Sequence, residues 1–499
     1  MVRKRFVLIL LVFLLQITKS GQLLAYASTY PNSIQNFGEL GKEAYTKSKT
    51  QGMAVVTVEG QTDSFLNMGE TNQSDVSEDT LFELGSISKS FTALAIYYME
   101  GQGLIDLDAD IQKYIPELSF DYSKVSKNSL DEEEQVTIWD LLCHTSGIPW
   151  ISTVYLPEGQ SENMLQETVL GESPIVLDTM PGEKYCYASI NYDILGLLIQ
   201  KISGMSYENY MEKVIFPMLG MNHTYVYDVP DEESKQLSPG YEYLFFQTKA
   251  WQTPAYRGNE PAGYIISCAR DMKRWLEILL GQIEVTKDLK EAVEQEFSFA
   301  HSVEVTGGLQ YSSGWFWDQK EERYFHGGSN PGFSSMISLN LKEGDGICIL
   351  TNQNSNLSEY LAASYFDILS GRNPDSYHTG VMRICDIVCS CVLIIVSILL
   401  TMTLIKVSIM VADIVRKKRR FQWKMKNKSI VILVLLYGLT GFVFGGLMDS
   451  HIWRALYVWL PKTVTFSLQA GLLSMLVMTG SWFIRSNFPC LLEDEKQEG

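Results

Sequence analysis

The sequence predicts an α+β domain, an antiparallel sheet flanked by helices with an all-helical subdomain in its middle, followed by three transmembrane helices. Three observations predict it. Short β-branched runs lie at both ends of the region from residue 50 to 370, helical periodicity fills the stretch between them, and three uncharged stretches of spanning length close the chain.

In chain order, residues 1–27 read as a secretory signal peptide. Arg3, Lys4 and Arg5 precede an apolar run from Phe6, and Ala25-Tyr26-Ala27 fits a small-x-small cleavage site, so the mature chain begins near Ser28. Retention of the apolar run as an uncleaved anchor is the alternative. "MAVVTVEG" near residue 53 reads as a strand. Helical periodicity follows Ser86 as far as Gly101 and recurs in "NYDILGLLIQKI" and "ARDMKRWLEILLGQI". "SSMISLNL" and "GICILTNQN" read as two late strands joined as a hairpin through "KEGDG". No repeat and no low-complexity segment interrupts the region, which makes residues 28–380 one exported domain with strands contributed by both of its ends.

Residues 381–490 form the membrane region, with spans near 387–411, 430–448 and 463–484. Buried helices of a soluble domain would pass the same length test, but three such stretches in the last quarter of the chain argue against it. Between the first two spans, "RKKRRFQWKMKN" and Lys428 carry eight Lys or Arg and no acid, which places this loop in the cytoplasm by the positive-inside rule. The domain is then outside, the loop "DSHIWRALYVWLPK" is outside, and the acidic tail 491–499 is cytoplasmic. The helices act as a plain anchor or pack against a partner. Lys406 can snorkel, and the small residues of "YGLTGFVFGG" suit close packing within the bundle, against a second copy in a homodimer, or against an export transporter.

The exported part, residues 28–382, holds 51 of the 58 acidic but only 22 of the 40 basic residues, a net charge of −29. Such a surface repels nucleic acid. Four of the eight cysteines, Cys143, Cys186, Cys268 and Cys348, are scattered singly through the body of the domain. They carry no metal-ligand spacing and read as small core residues, with one disulfide left open. No metal or organic cofactor is implied.

Chemistry enters with Ser86 and Lys89 in "ELGSISKSFTALAIYYME". A serine at a helix start is most often a cap. With a lysine at i+3 on the same face, it is also a candidate nucleophile, because a hydroxyl needs a neighbour to take its proton. Tyr187 precedes a helix beginning near Ser189 or Ile190 and can project into a cleft; a buried structural aromatic is the alternative. His326 is followed by two glycines, which let backbone approach a ligand closely, or else it caps a turn.

The ordered set Ser86-x-x-Lys89, Tyr187-x-Ser189 and His326-x-Gly328 resembles the three motifs of the penicillin-recognising serine hydrolases: class C β-lactamases, D-alanyl-D-alanine carboxypeptidases, D-aminopeptidases and related esterases. "LLCHTSGIPW", Pro181-Gly182 and "PAGYIISCARDMKRWL" are similar to further segments of that family, and the resemblance covers roughly residues 35–370. It implies a β-lactamase/transpeptidase-like fold and an acyl-enzyme on Ser86. It implies that Lys89 and Tyr187 share the general-base work, without choosing between them. The implied oxyanion hole is the backbone N–H of Ser86 and of Ser329, and the implied substrate-binding residues are Ser189, His326, Gly328 and Asn330.

Two positions depart from the family pattern. His326 stands where many β-lactamases carry lysine, which weakens the case for a fixed charge on a substrate carboxylate. Ser189 replaces the usual asparagine, and Asn330 either faces the space this leaves or serves as a turn residue before Pro331. A membrane-bound branch that removes an N-acyl-D-Asn prodrug cap from exported natural products is similar in layout and in these substitutions. The resemblance thus implies a peptide or acyl-amide substrate, lipid-associated when the helices hold the enzyme near it. A cell-wall D,D-carboxypeptidase or broad β-lactamase/esterase is the alternative enzyme, and an acylated β-lactam sensor is the alternative outside catalysis.

Overall fold

The run Met53–Val58 is apolar at nearly every position, so as a strand it must be covered on both faces. In the computed structural model it forms β1 (Gly52–Glu59), buried along all but its last residue. The structure describes residues 37–71, 74–125, 135–422, 434–435, 437–439, 441, 445 and 450–489. The predicted signal peptide, the cytoplasmic tail and most of the predicted middle span lie outside the described residues. The described chain divides into two units, residues 29–242 with 248–380, and residues 243–247 with 381–499.

The first unit is built on an eight-stranded antiparallel sheet. After β1 come β2 (Thr62–Gly69), β3 (Glu304–Thr306), β4 (Leu309–Ser312), β5 (Trp315–Asp318), β6 (Arg323–Asn330), β7 (Phe333–Asn340) and β8 (Asp345–Thr351), in spatial order β3-β4-β5-β6-β7-β8-β1-β2. The N-terminal hairpin therefore closes onto the last strand, with Val55 opposite Ile349 and Val56 opposite Cys348. The hairpin expected through "KEGDG" is β7–β8, and the late strands fall where their β-branched residues placed them.

Alternation along β1 divides the core. Ala54, Val56 and Val58 face helices α2 (Ser88–Gly101), α3 (Ile190–Ser203) and α4 (Ala269–Leu279), whereas Met53 and Val55 face α1 (Phe37–Ser48) and α5 (Leu357–Leu369). Helix α2 is buried around most of its circumference, from Ser88 to Tyr97. Its buried residues include the polar Ser88, Lys89, Ser90 and Thr92 at its start, followed by an apolar run to Ile96. The helical middle is fixed by local signals: Thr137 and Asp140 form a reciprocal capping box on the short helix Ile138–Leu142, and Gly204 ends α3 in a left-handed conformation, φ +69°.

The second unit holds two helices long and apolar enough to cross a membrane, α6 (Val381–Val415) and α7 (Lys462–Asn487). They contain the first and third expected spans and extend each at both ends. Two such helices stand where three were expected, because the middle span falls mostly outside the described residues. The loop "DSHIWRALYVWLPK" is itself largely helical, Ser450–Trp459. At the start of α6, Asp386 is fully enclosed and accepts hydrogen bonds from the amides of Phe245 (3.1 Å) and Phe246 (2.8 Å) and from Thr463 Oγ1 (2.9 Å). These donors satisfy a carboxylate that would be costly to bury alone.

Candidate active site

Ser86 lies in a tight turn, Gly85–Ile87, that leads directly into α2. Its side chain caps nothing: neither that turn nor α2 has a side-chain cap. The turn is instead pressed against β6. Gly85 has φ +56°, and a Cβ there would stand 2.6 Å from the Ser329 backbone nitrogen. A Cβ on Gly328 would stand 2.0 Å from the Leu84 carbonyl oxygen, which also accepts a hydrogen bond from Ser335 Oγ at 2.6 Å. Two glycines thus let two main chains approach where any side chain would separate them. The contact sets the Ser329 N–H beside the Ser86 turn, the juxtaposition an oxyanion hole requires.

One helical turn on, Lys89 has no exposed surface. Its ammonium donates to Ser86 Oγ at 3.1 Å and to the Ala262 carbonyl at 2.6 Å, and lies 5.0 Å from the centre of the Tyr187 ring. The Tyr187 hydroxyl donates to the same Ser86 Oγ at 2.9 Å. Hydroxyl, amine and phenol, 101 residues apart at the extremes, therefore meet within hydrogen-bonding distance. Both candidate bases are in reach of the serine proton, and the distances do not choose between them.

Tyr187 is held by a network behind it. His144 sits at φ +56°, a left-handed conformation uncommon for a residue with a Cβ. Its ring lies 4.4 Å from that of Tyr187. Its Nδ1 accepts from Asn191 Nδ2 at 2.8 Å, while Ser146 Oγ donates to Asn191 Oδ1 at 2.7 Å. Burial, then the charge of Lys89, pushes the His144 pKa well below its ordinary value, so the ring is neutral. This network is the structural content of the segment "LLCHTSG".

His326 is buried on β6, and its Nδ1–H donates to the Gly327 carbonyl at 2.7 Å. Burial first, and the Lys89 charge second, bring its pKa down to about 3. It therefore offers a neutral imidazole and no fixed cation. Ser189 is nearly buried at the N-terminus of α3, next to Tyr187 in sequence. Asn330, at the end of β6, donates through Nδ2 to Glu83 Oε2 (2.7 Å) and to the Gly263 carbonyl (2.8 Å).

Two residues that sequence reasoning missed are carboxylic acids. Glu83, half-buried three residues before Ser86, has its pKa raised to about 7 by desolvation, which outweighs the opposing hydrogen bond from Asn330. Asp193 on α3 is fully buried; desolvation pushes its pKa far up and the charge of Lys89 opposes this. With the Asn259 amide turned to present its nitrogen, both Asp193 oxygens are met, at 2.9 and 3.1 Å. A cavity of about 520 Å³ opens beside Glu83, lined by Tyr264, Phe333, Trp251, Tyr256 and Leu237. Ser86 is not among its lining residues. Among the described residues, no cluster of His, Cys, Asp and Glu suits a metal, and Cys143, Cys186, Cys268 and Cys348 are free thiols, which closes the disulfide question for them.

This fold and this constellation define a serine hydrolase. The chain belongs to the Beta-lactamase family, whose profile matches residues 34–371. Among curated proteins it is similar to Protein flp of Staphylococcus aureus (strain N315), 26% identical over 426 residues and 82% of each chain. It is also similar to a Beta-lactamase of Providencia stuartii, 28% identical over 275 residues, covering 54% of this chain and 65% of that one. Among solved structures it is similar to the octameric penicillin-binding protein homologue from Pyrococcus abyssi, with a TM-score of 0.57 and 25% identity over 68% of this chain and 78% of that one. The Beta-Lactamase/D-Alanine Carboxypeptidase from Pseudomonas syringae shares the fold, with a TM-score of 0.56 and 23% identity over 68% of this chain and 99% of that one.

Proposed function

We propose that the protein is a membrane-anchored peptidase that works through an acyl-enzyme on Ser86 and removes an N-acyl-D-Asn group from an exported product. The observation that carries the acyl-transfer reading is the convergence of Lys89 Nζ and Tyr187 OH on Ser86 Oγ, at 3.1 and 2.9 Å. Ser86 Oγ attacks the acyl carbonyl as its proton passes to Tyr187 or Lys89. The N–H groups of Ser86 and Ser329 stabilise the oxyanion, and loss of one such donor typically costs about 100–1000-fold in rate. The same base then protonates the departing amine, and water releases the acyl group.

Support for the substrate comes from the pocket. A neutral His326 supplies no cation for a substrate carboxylate, while Ser189 and Asn330 offer polar groups to a carboxamide. The aromatic cavity beside Glu83 has room for the acyl portion. The signal-like N-terminus, the basic loop and the two apolar helices support a catalytic unit outside the membrane, close to lipid-associated substrate.

The test is a panel of N-acyl-D-Asn, N-acyl-L-Asn and D-Ala-D-Ala peptides offered to membranes containing the full chain. Cleavage of the D-Asn peptide at least about 100-fold faster than D-Ala-D-Ala is expected, since a site built for a polar group strongly rejects substrates lacking it, and cleavage of D-Asn ahead of L-Asn is the result the D reading requires. Cleavage of D-Ala-D-Ala alone would assign the protein to the cell wall instead.

A further inference from the structure

Glu83 takes no part in the acyl transfer described above, yet it is half-buried and lines the aromatic cavity. Among the described residues it makes no ion pair, and the one hydrogen bond acting on its carboxyl comes from Asn330. Enclosing a carboxyl without a cation is costly. What it holds in place is the sign of a hydrogen-bonding group.

A primary amide has two N–H donors and one acceptor oxygen. Both donors of Asn330 are committed, one to Glu83 Oε2 at 2.7 Å and the other to the Gly263 carbonyl at 2.8 Å. Turning the amide over would set its oxygen against a carboxyl and a carbonyl at once. The backbone cannot swing away either, because Asn354 Nδ2 bonds Ser329 Oγ at 2.9 Å and the Asn330 carbonyl at 3.3 Å. Among the described residues Asn330 Oδ1 receives no hydrogen bond, and it lies 3.5 Å from where a Cβ of Gly263 would be. The bare glycine leaves that side open. In the chain Gly263 follows Ala262, whose carbonyl accepts from Lys89 Nζ at 2.6 Å.

We propose that Glu83 is a positioning residue that fixes the polarity of the substrate pocket. By taking one N–H of Asn330 while Gly263 takes the other, it leaves the pocket an acceptor. The site then selects a substrate carrying an N–H₂ or O–H group at that point and disfavours a carboxylate. The inference rests on the acyl-transfer reading of Ser86 and on Asn330 lining its pocket, and is independent of the D configuration. A merely structural clasp between the Ser86 turn and β6 would slow every substrate alike.

The experiment measures kcat/KM of the full-length protein in membranes at pH 8 on three aryl esters. Their acyl parts end, at the same atom, in a carboxamide, a carboxylate or a methyl group. The wild type is expected to favour carboxamide over carboxylate by about 100-fold or more. In Glu83→Leu that ratio falls at least about tenfold, through KM, while the methyl ester changes less than about threefold. Should Glu83→Leu fail to fold, Glu83→Gln decides. It keeps an acceptor for Asn330 but loses the charge, so carboxamide stays ahead of methyl and the carboxylate penalty weakens by about tenfold. An unchanged ratio, an equal loss on all three esters, or a wild type indifferent to the terminal group overturns the inference. A carboxamide preference shared by D and L substrates would keep the inference and remove the D-Asn reading.

Discussion

Lys89 is fully buried and Glu83 half-buried, and the two ionisable groups have different partners, one bonded to Ser86 Oγ and one to the Asn330 amide. Replacing Lys89 by Met should cut the rate of acylation by about 100- to 10,000-fold, the usual worth of a general base or its partner, measured by burst kinetics with an activated ester. Glu83 also predicts a pH dependence of stability. Its folded pKa of about 7 exceeds the ordinary 4.5, so between those values the native state holds a proton that the unfolded chain has lost. Stability from this group is complete below about pH 4.5 and declines as the pH rises to 7, by at most about 3 kcal/mol. Glu83→Gln should therefore gain in melting temperature relative to wild type between pH 5 and pH 8; parallel curves would show that the carboxyl is not protonated near neutrality. Ser86 and Lys89 were legible because their relation is local, three residues on one helix face. Tyr187 and His326 were legible through the order of short motifs. Glu83 was not, since an isolated acid reads as surface, and the acceptor for Lys89 was not, since it is a main-chain carbonyl 173 residues away.

The elements that matter most are the turn before α2 and strand β6, because their backbones touch. Gly328→Ala would drive a methyl group to within 2.0 Å of the Leu84 carbonyl, so either β6 or the Ser86 turn must move. The expected result is a loss of about 100-fold or more in kcat, with far-ultraviolet circular dichroism unchanged, because the proposed oxyanion hole would lose the N–H of Ser329. An alanine variant with wild-type kcat would separate β6 from the chemistry. The strand positions followed from their β-branched residues, and α2, α3 and α4 from periodicity. The left-handed turn at His144 did not, because long-range contacts, among them those to Asn191, Tyr187 and the Cys186 amide, hold it. The helix at Ser450–Trp459 was read as loop because it connects two longer apolar runs, although its own apolar residues recur at helical spacing.

At the scale of the whole chain, the enzyme and the membrane helices are separate compact units, and both Lys89 partners and every pocket residue belong to the first. The second unit holds the two helices long and apolar enough to cross a membrane. With α6 and α7 apolar over most of their length, the full chain should remain in the membrane pellet after alkaline carbonate extraction; recovery in the supernatant would remove the anchor. Catalysis itself depends on one serine. The most direct measurement is mass spectrometry of the protein after reaction with a fluorophosphonate. A single phosphonyl adduct on the peptide containing Ser86, absent from a folded Ser86→Ala variant, is the predicted result; an adduct on another residue, or undiminished labelling of that variant, would contradict it.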